Sequence, residues 1–342
     1  MASQTTQMRR EIEEIPHAVE RLLTDGAAAI TAASDEARAL NPRFLLSVAR
    51  GSSDHACTYL KYASELLLGL PMASLGPSVK SVYGVDVAAA GALGISVSQS
   101  GKSPDIVRMT ESIAASGAYT VAITNEPASP LANAASATLS IHAGPELSVA
   151  ATKTFVTSLV AGLCLLAELK GDHSLIAAIR GLPRHLENAV RCDWSGAVGD
   201  IGGGSLFTLG RGPSWAMSNE AALKFKETCQ LHAESYSSAE VLHGPVSIVG
   251  DAFPVIAFAA SDAAEDAVAS VADEIAGKGA NVFATTDRVA RATVLPHVRT
   301  DHWITDPIAT IVSFYGLVEA VAVGRGINPD APRHLNKVTE TV

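Results

Sequence analysis

Apolar residues follow two alternating rhythms along this chain. Short, apolar, β-prone runs stand at 44–49, 93–98, 119–124 and 138–141. Between them, stretches at 54–68, 104–116 and 152–169 repeat their apolar positions at three- and four-residue intervals. Buried strand followed by helix, again and again, predicts an α/β protein: a parallel sheet with helices on both faces. Residues 8–40 read as one or two leading helices. The longest apolar run, 155–169, spans about 15 residues and is interrupted by Thr157, Ser158 and Gly162, whereas a membrane span needs roughly 20. It reads as a buried core helix, and no membrane partner is expected.

The second half repeats the first. "FLLSVARGSS" (44–53) aligns with "SLFTLGRGPS" (205–214) at an offset of 161 residues. The same offset pairs Val97-Ser98-Gln99-Ser100 with Phe258-Ala259-Ala260-Ser261, and Val121-Ala122-Ile123-Thr124 with Val282-Phe283-Ala284-Thr285. One register held without a gap over this distance predicts two βα domains of similar fold. Their connection is expected near 171–200, around Gly171, Pro183 and 196–204. The copies have diverged: the first keeps Ser98, Gln99, Ser100 and Ser103 after its third strand, where the second has Ala259, Ala260 and Ser261. Such divergence suggests one composite site to which each copy gives different parts.

The 342 residues are 48% hydrophobic and 18% charged, enough for a sizeable core and against global disorder. A formal net charge of -10 without a Lys/Arg block argues against a nucleic-acid partner. An anionic ligand would therefore be held by local geometry against the field of the whole chain. Cys57, Cys164, Cys192 and Cys229 form no CxxC or metal spacing, which suits a reduced, cytoplasmic protein. The N-terminus has no secretory apolar segment.

Candidate chemistry gathers in four places. In "VSQSGKSPDI" (97–106), a strand end is followed by small residues and then by Pro104 at a helix start, with Ser103 as N-cap. Such a turn exposes backbone N–H groups and hydroxyls to an anion, although by itself it fits a plain capped loop better. "GSSDHA" adds Ser52 and Ser53 at a second strand end, and the pair of loops favours a ligand, since open α/β sheets bind there. No GxGxxG or P-loop element is present. In "SNEAALKFKETCQ" (218–230), Glu220, Lys224 and Glu227 fall on one helix face. They read either as a solvated charge face or as a proton-transfer group, because the helix follows the Gly210-Arg211-Gly212-Pro213 turn at the sheet edge. His243 precedes Gly-Pro in "EVLHGPVSIV" and is either exposed or aimed into a site. Lys337, near the C-terminus, is unremarkable by spacing.

These motifs, with "ELSVAATKTF", "EAALKFKETCQLHAES", "AEVLHGP" and the closing "APRHLNKVTETV", resemble the SIS (sugar isomerase) family from about residue 43 onward. The likeness is to the isomerase half of glucosamine-6-phosphate synthases and to the deaminases built on that half. It implies two SIS domains, each a three-layer sandwich, at 41–185 and 195–342 (with a tail), after helices at 1–40. It implies that Ser52, Ser53, Ser98, Gln99, Ser100 and Ser103 hold a sugar phosphate, with Val149 and Glu220 lining the sugar. Glu227 would move a proton between C1 and C2, Lys224 would face the developing oxygen, and Lys337 would meet the ketose carbonyl as a Schiff base. His243, from a second copy in a homodimer, would open the ring. No metal or other cofactor is implied.

The expected reaction converts glucosamine-6-phosphate to fructose-6-phosphate and ammonia. A deglycase of phosphorylated fructosyl-amino acids and a non-catalytic phosphosugar-binding regulator are the alternatives. Three departures from the synthase pattern stand out: no cysteine near Met1-Ala2-Ser3, so no glutaminase domain is expected; Ala150-Ala151-Thr152-Lys153 in place of "ASTK"; and Lys102 beside the serine loop.

Overall fold

A computed structural model describes residues 5–337; Met1-Ala2-Ser3 and the end of the closing motif, 338–342, lie outside it. Three helices lead the chain, α1 (Gln7–Glu13), α2 (Ile15–Asp25) and α3 (Ala27–Leu40). One more helix than expected forms. The Thr6 hydroxyl caps α1 by accepting the Arg9 N–H, and Gly26 starts α3 anew. Next come β1 (Phe44–Val48), α4 (Ser52–Leu68), β2 (Met72–Ser74), α5 (Ser78–Ser81), β3 (Ala92–Val97) and α6 (Pro104–Ala115). They continue with β4 (Tyr119–Thr124), α7 (Pro130–Ala134), β5 (Ala137–Ser140) and α8 (Lys153–Lys170).

The 171–200 stretch, expected as a connection, carries helix α9 (His173–Val190), which continues through Pro183. After it come β6 (Ser205–Gly210), α10 (Pro213–Cys229), β7 (His232–Ser237), β8 (Pro254–Ala257), α11 (Glu265–Ala276), β9 (Asn281–Ala284), β10 (Thr293–Val294) and α12 (Asp306–Gly324).

The two sheets are all-parallel and share one topology: β2-β1-β3-β4-β5 and, read in the same sense, β7-β6-β8-β9-β10. The 161-residue repeat is therefore structural. Shifted by 161, α4 falls on α10 and α6 on α11, residue for residue at both ends. The turn into the first helix is also copied: Gly51 has φ 55° and ψ −134°, Gly212 φ 58° and ψ −138°. This is left-handed territory that a side chain resists, which explains why each copy has glycine there.

By their contacts the described residues form two compact units that interleave in sequence. One holds 17–146, 153–180 and 336–337, and with them the first sheet. The other holds 5–16, 147–152 and 181–335, with the second sheet. In the first, Leu46 and Val48 of β1 and Ala122 of β4 share a core with Ile106, Met109 and Ile113 of α6. Helix α8 is buried through nearly its whole length, as a helix apolar on all sides should be, and the Thr157 and Ser158 hydroxyls within it bond back to carbonyls of the preceding turn. In the second, Phe207, Val255 and Val282 pack with Val268 and Ile275 of α11. Helix α12 has the length and apolar composition of a membrane span, but most of it is buried within the fold.

Candidate functional site

Strand order 2-1-3-4-5 places the topological switch between β1 and β3, the position where ligands settle in open α/β sheets. Both serine-bearing loops leave the sheet there. β1 and β3 pair directly, with Val48 opposite Ser96, so Ser52 and Ser53 start α4 beside the loop of Ser98, Gln99, Ser100 and Ser103. Arg50 clamps one loop to the other: its Nε donates to Oδ2 of Asp105, a fully buried carboxylate in the first turn of α6, at 2.6 Å.

The backbone of the second loop is pinned from β4 and α7. The Asn125 N–H donates to the Gln99 carbonyl at 3.1 Å and the Leu131 N–H to the Gly101 carbonyl at 3.0 Å. Gly101 sits at φ 61°, and a Cβ there would lie 2.1 Å from the Ser129 hydroxyl. Only glycine closes this turn.

Ser103 occupies the N-cap position as expected, but its hydroxyl makes no capping bond. At that end Pro104 has no N–H, the Ile106 N–H donates to Asp105 Oδ1 at 2.9 Å and the Val107 N–H to the Ser103 carbonyl at 3.1 Å, so the serine hydroxyls are the groups that could meet an anion. Ser98 accepts the Gly101 N–H at 3.2 Å and Ser100 the Lys102 N–H at 3.4 Å. A hydroxyl that accepts in this way still has its own proton to donate. Lys102 is exposed beside the loop.

The charged face of α10 is not a solvated surface. Glu220 and Lys224 are fully buried, and the Glu227 side chain is 21% exposed. Lys224 Nζ lies 3.3 Å from Glu220 Oε1 and donates to Glu227 Oε2. Burial works against the Lys224 charge, yet the two carboxylates hold it and raise its pKa above the ordinary lysine value. The helix packs against β6 and β7 on one side and α12 on another, which keeps water from the group.

One expectation is corrected here. The turn at Gly212 faces the sheet edge, but Glu227 is near the other end of the helix, about 21 Å further along at 1.5 Å per residue. The helix runs back along its sheet, so the triad is not presented at that edge.

Lys337 is placed by a side chain that the motif reading did not single out. Its Nζ donates to Oε2 of the buried Glu146 at 2.7 Å. Glu146 opens the segment "ELSVAATKTF", but nothing in its spacing links it to Lys337, and only its contacts do. His243 ends a short 3₁₀ turn (Glu240–His243) and is exposed. Val149 lies half-buried in the 147–152 segment, its N–H donating to the Asp330 carbonyl.

The structure thus brings the serine loops together, and separately Glu220 with Lys224 and Glu227. The serine loops and Lys337 belong to one unit; the triad, Val149 and His243 belong to the other. All four cysteines are free. Burial pushes the Cys164 thiol up to about 12 and Cys229 to about 11, values unsuited to nucleophiles. Among the described residues, no group of three or more His, Cys, Asp or Glu side chains is placed to hold a metal ion.

The SIS domain profile matches residues 41–167 and 203–322, one match on each sheet. The chain belongs to the SIS domain family. A glutamine–fructose-6-phosphate aminotransferase (isomerizing) of Methanothermobacter thermautotrophicus is 31% identical over 341 residues, covering 96% of this chain and 56% of that protein. This chain therefore spans about half the length of the curated relatives it matches. A crystal structure from Silicibacter pomeroyi, provisionally designated a phosphosugar isomerase, is 63% identical with a TM-score of 0.92, covering 95% of this SIS chain and all of that one. The C-terminal domain of glucosamine-fructose-6-phosphate aminotransferase from Francisella tularensis is 25% identical with a TM-score of 0.81, covering 96% and 99%.

Proposed function

We propose that this SIS protein is a phosphosugar aldose–ketose isomerase that deaminates glucosamine-6-phosphate. The observation that carries the reading is the buried Glu220–Lys224–Glu227 group. Removing Glu220 and Lys224 from water costs several kcal/mol per ion in general, and such pairs are poor sources of stability. Holding phosphate does not require them, but moving a proton between adjacent carbons requires a positioned base, which a carboxylate supplies.

In this reading the serine loops take the phosphate, with Val149 and Glu220 along the sugar. Glu227 transfers the proton from C2 to C1 of the open-chain aldose. Lys224 orients that carboxylate and brings positive charge toward the oxygen that becomes electron-rich. The resulting fructose imine takes up one water and yields fructose-6-phosphate and ammonia. Lys337 engages the ketose carbonyl.

A panel assay tests this directly. Ammonia and fructose-6-phosphate should appear from glucosamine-6-phosphate, and an amino acid should not be released from phosphorylated fructosyl-amino acids. Turnover of the adducts alone would make the chain a deglycase. Binding of the whole panel without turnover would make it a regulator and end the enzyme reading.

The proposal includes a homodimer in which His243 of a second copy opens the ring. Its exposure at the end of a tight turn leaves the imidazole available to another chain. Mixing inactive His243→Ala and Lys337→Ala chains should then regenerate up to one working site per hybrid dimer. Hybrids that form but stay inactive would place all catalytic groups of a site on one chain.

A further inference from the structure

Glu146 lies in the connection leaving the carboxyl end of β5, at the same sheet edge as the serine loops. It has no exposed side-chain surface, and its contacts come from two directions. From the first turn of α8, the Thr154 N–H donates to Oε1 at 3.0 Å and the Thr154 hydroxyl to Oε2 at 2.7 Å. From the chain's far end, Lys337 donates to the same Oε2 at 2.7 Å.

Desolvation on its own would push the Glu146 carboxyl up. The Lys337 charge and hydrogen bond, helped by the two Thr154 bonds, bring it below the usual glutamate value instead. Next to it, Lys153 is buried and donates to the Pro145 carbonyl at 2.8 Å, which fixes the backbone that carries Glu146.

We propose that Glu146 is the positioning residue for Lys337: it ties the terminal amine to the amino end of α8 and holds the nitrogen where the sugar carbonyl must arrive. The catalytic half of this inference rests on the isomerase reading; the tie itself does not. The chemistry suits a fixed anion. When an ammonium and a ketose carbonyl become a protonated imine, the C=O bond is replaced by C=N and one water leaves, carrying the carbonyl oxygen and two of the nitrogen's protons. The nitrogen keeps its positive charge and one N–H. A carboxylate that pairs with the ammonium can therefore pair with the imine without moving, so no reorganisation is needed between the two states. An amine donating into a carboxylate also turns no lone pair outward, so stray electrophiles find it unreactive.

Acetylation with a small N-hydroxysuccinimide ester, read by mass spectrometry on the full chain, tests the tie without any sugar. Lys61, exposed on α4, serves as the internal reference. In the wild type, Lys337 should be acetylated at least about tenfold more slowly than Lys61. Glu146→Gln keeps the size and an acceptor for Thr154 but removes the charge. There Lys337 should label at least about tenfold faster than in the wild type while Lys61 is unchanged, and kcat should fall at least about tenfold with KM within about threefold.

Wild-type Lys337 labelled as fast as Lys61 would overturn the tie even if the variant does not fold. So would unchanged Lys337 labelling in a folded variant. Faster labelling with unaltered kcat would overturn the positioning role. The predicted labelling in a chain that turns over no phosphosugar would leave the tie standing and overturn the enzyme reading instead.

Discussion

Glu227→Gln should lower turnover of glucosamine-6-phosphate by about a hundredfold or more, with little change in KM. Glutamine matches glutamate in size and still accepts from Lys224, so the helix face keeps its packing and much of its hydrogen bonding. Only the proton acceptor is gone. General acid–base catalysis is worth about 10²–10⁴-fold, so the low end of that range corresponds to about 2.7 kcal/mol in the barrier. Because Glu227 is partly exposed whereas Glu220 and Lys224 are not, it is the member of the group that a substrate can reach. Its replacement leaves the buried Lys224 paired through Glu220, whereas removing the last partner of such a lysine would cost about 3–5 kcal/mol of stability. Steady-state kinetics with deuterium uptake from heavy water into the product checks the assignment. A variant within a few-fold of wild type on both readouts would remove Glu227 from the proton transfer.

Replacing Ser98 and Ser100 together with alanine should weaken phosphosugar binding by at least about a hundredfold without unfolding the protein. Hydrogen bonds to a charged group are worth about 1.5–3 kcal/mol each, so two lost bonds amount to about 3–6 kcal/mol. The loop itself should survive, because backbone bonds hold it: the Ser98 N–H to the Ile123 carbonyl, Asn125 to Gln99, and Leu131 to Gly101. The hydroxyl bonds to Gly101 and Lys102, at 3.2 and 3.4 Å, are long and add little to that frame. Calorimetric titration with the sugar phosphate, beside a thermal melt, separates the two effects. Normal affinity in the double variant would move the phosphate away from this loop.

The parts of the fold legible in the sequence are those whose pattern is strong and local. β1, β3 and β4 are buried apolar runs, and the repeat offset carried them onto β6, β8 and β9 because two copies of one fold keep one spacing. Of the four edge strands only β5 was legible, as the run at 138–141. β2 has only three residues, two of them exposed, β10 has two exposed residues, and β7 reads His-Ala-Glu-Ser-Tyr-Ser with one buried position. An edge strand packs on fewer neighbours, so selection for apolar side chains relaxes there and the periodic signal disappears. Helix α9 was hidden by Pro183, which usually ends a helix but is tolerated where the surrounding contacts compensate.

The candidate site divides along the same line. Its sequence determined the serine-glycine turn, the helical spacing of Glu220, Lys224 and Glu227, and the family these motifs belong to. All of these are properties of short segments, set by local backbone chemistry. Only the tertiary structure decided that the helical charges are buried rather than solvated, that Arg50 and Asp105 clamp two loops 55 residues apart, and that Lys337 ends on Glu146, 191 residues away. Burial and pairing at such separations depend on which elements pack together. A carboxylate's neighbours, and with them its charge state and its use, are written in the contacts and not in the spacing.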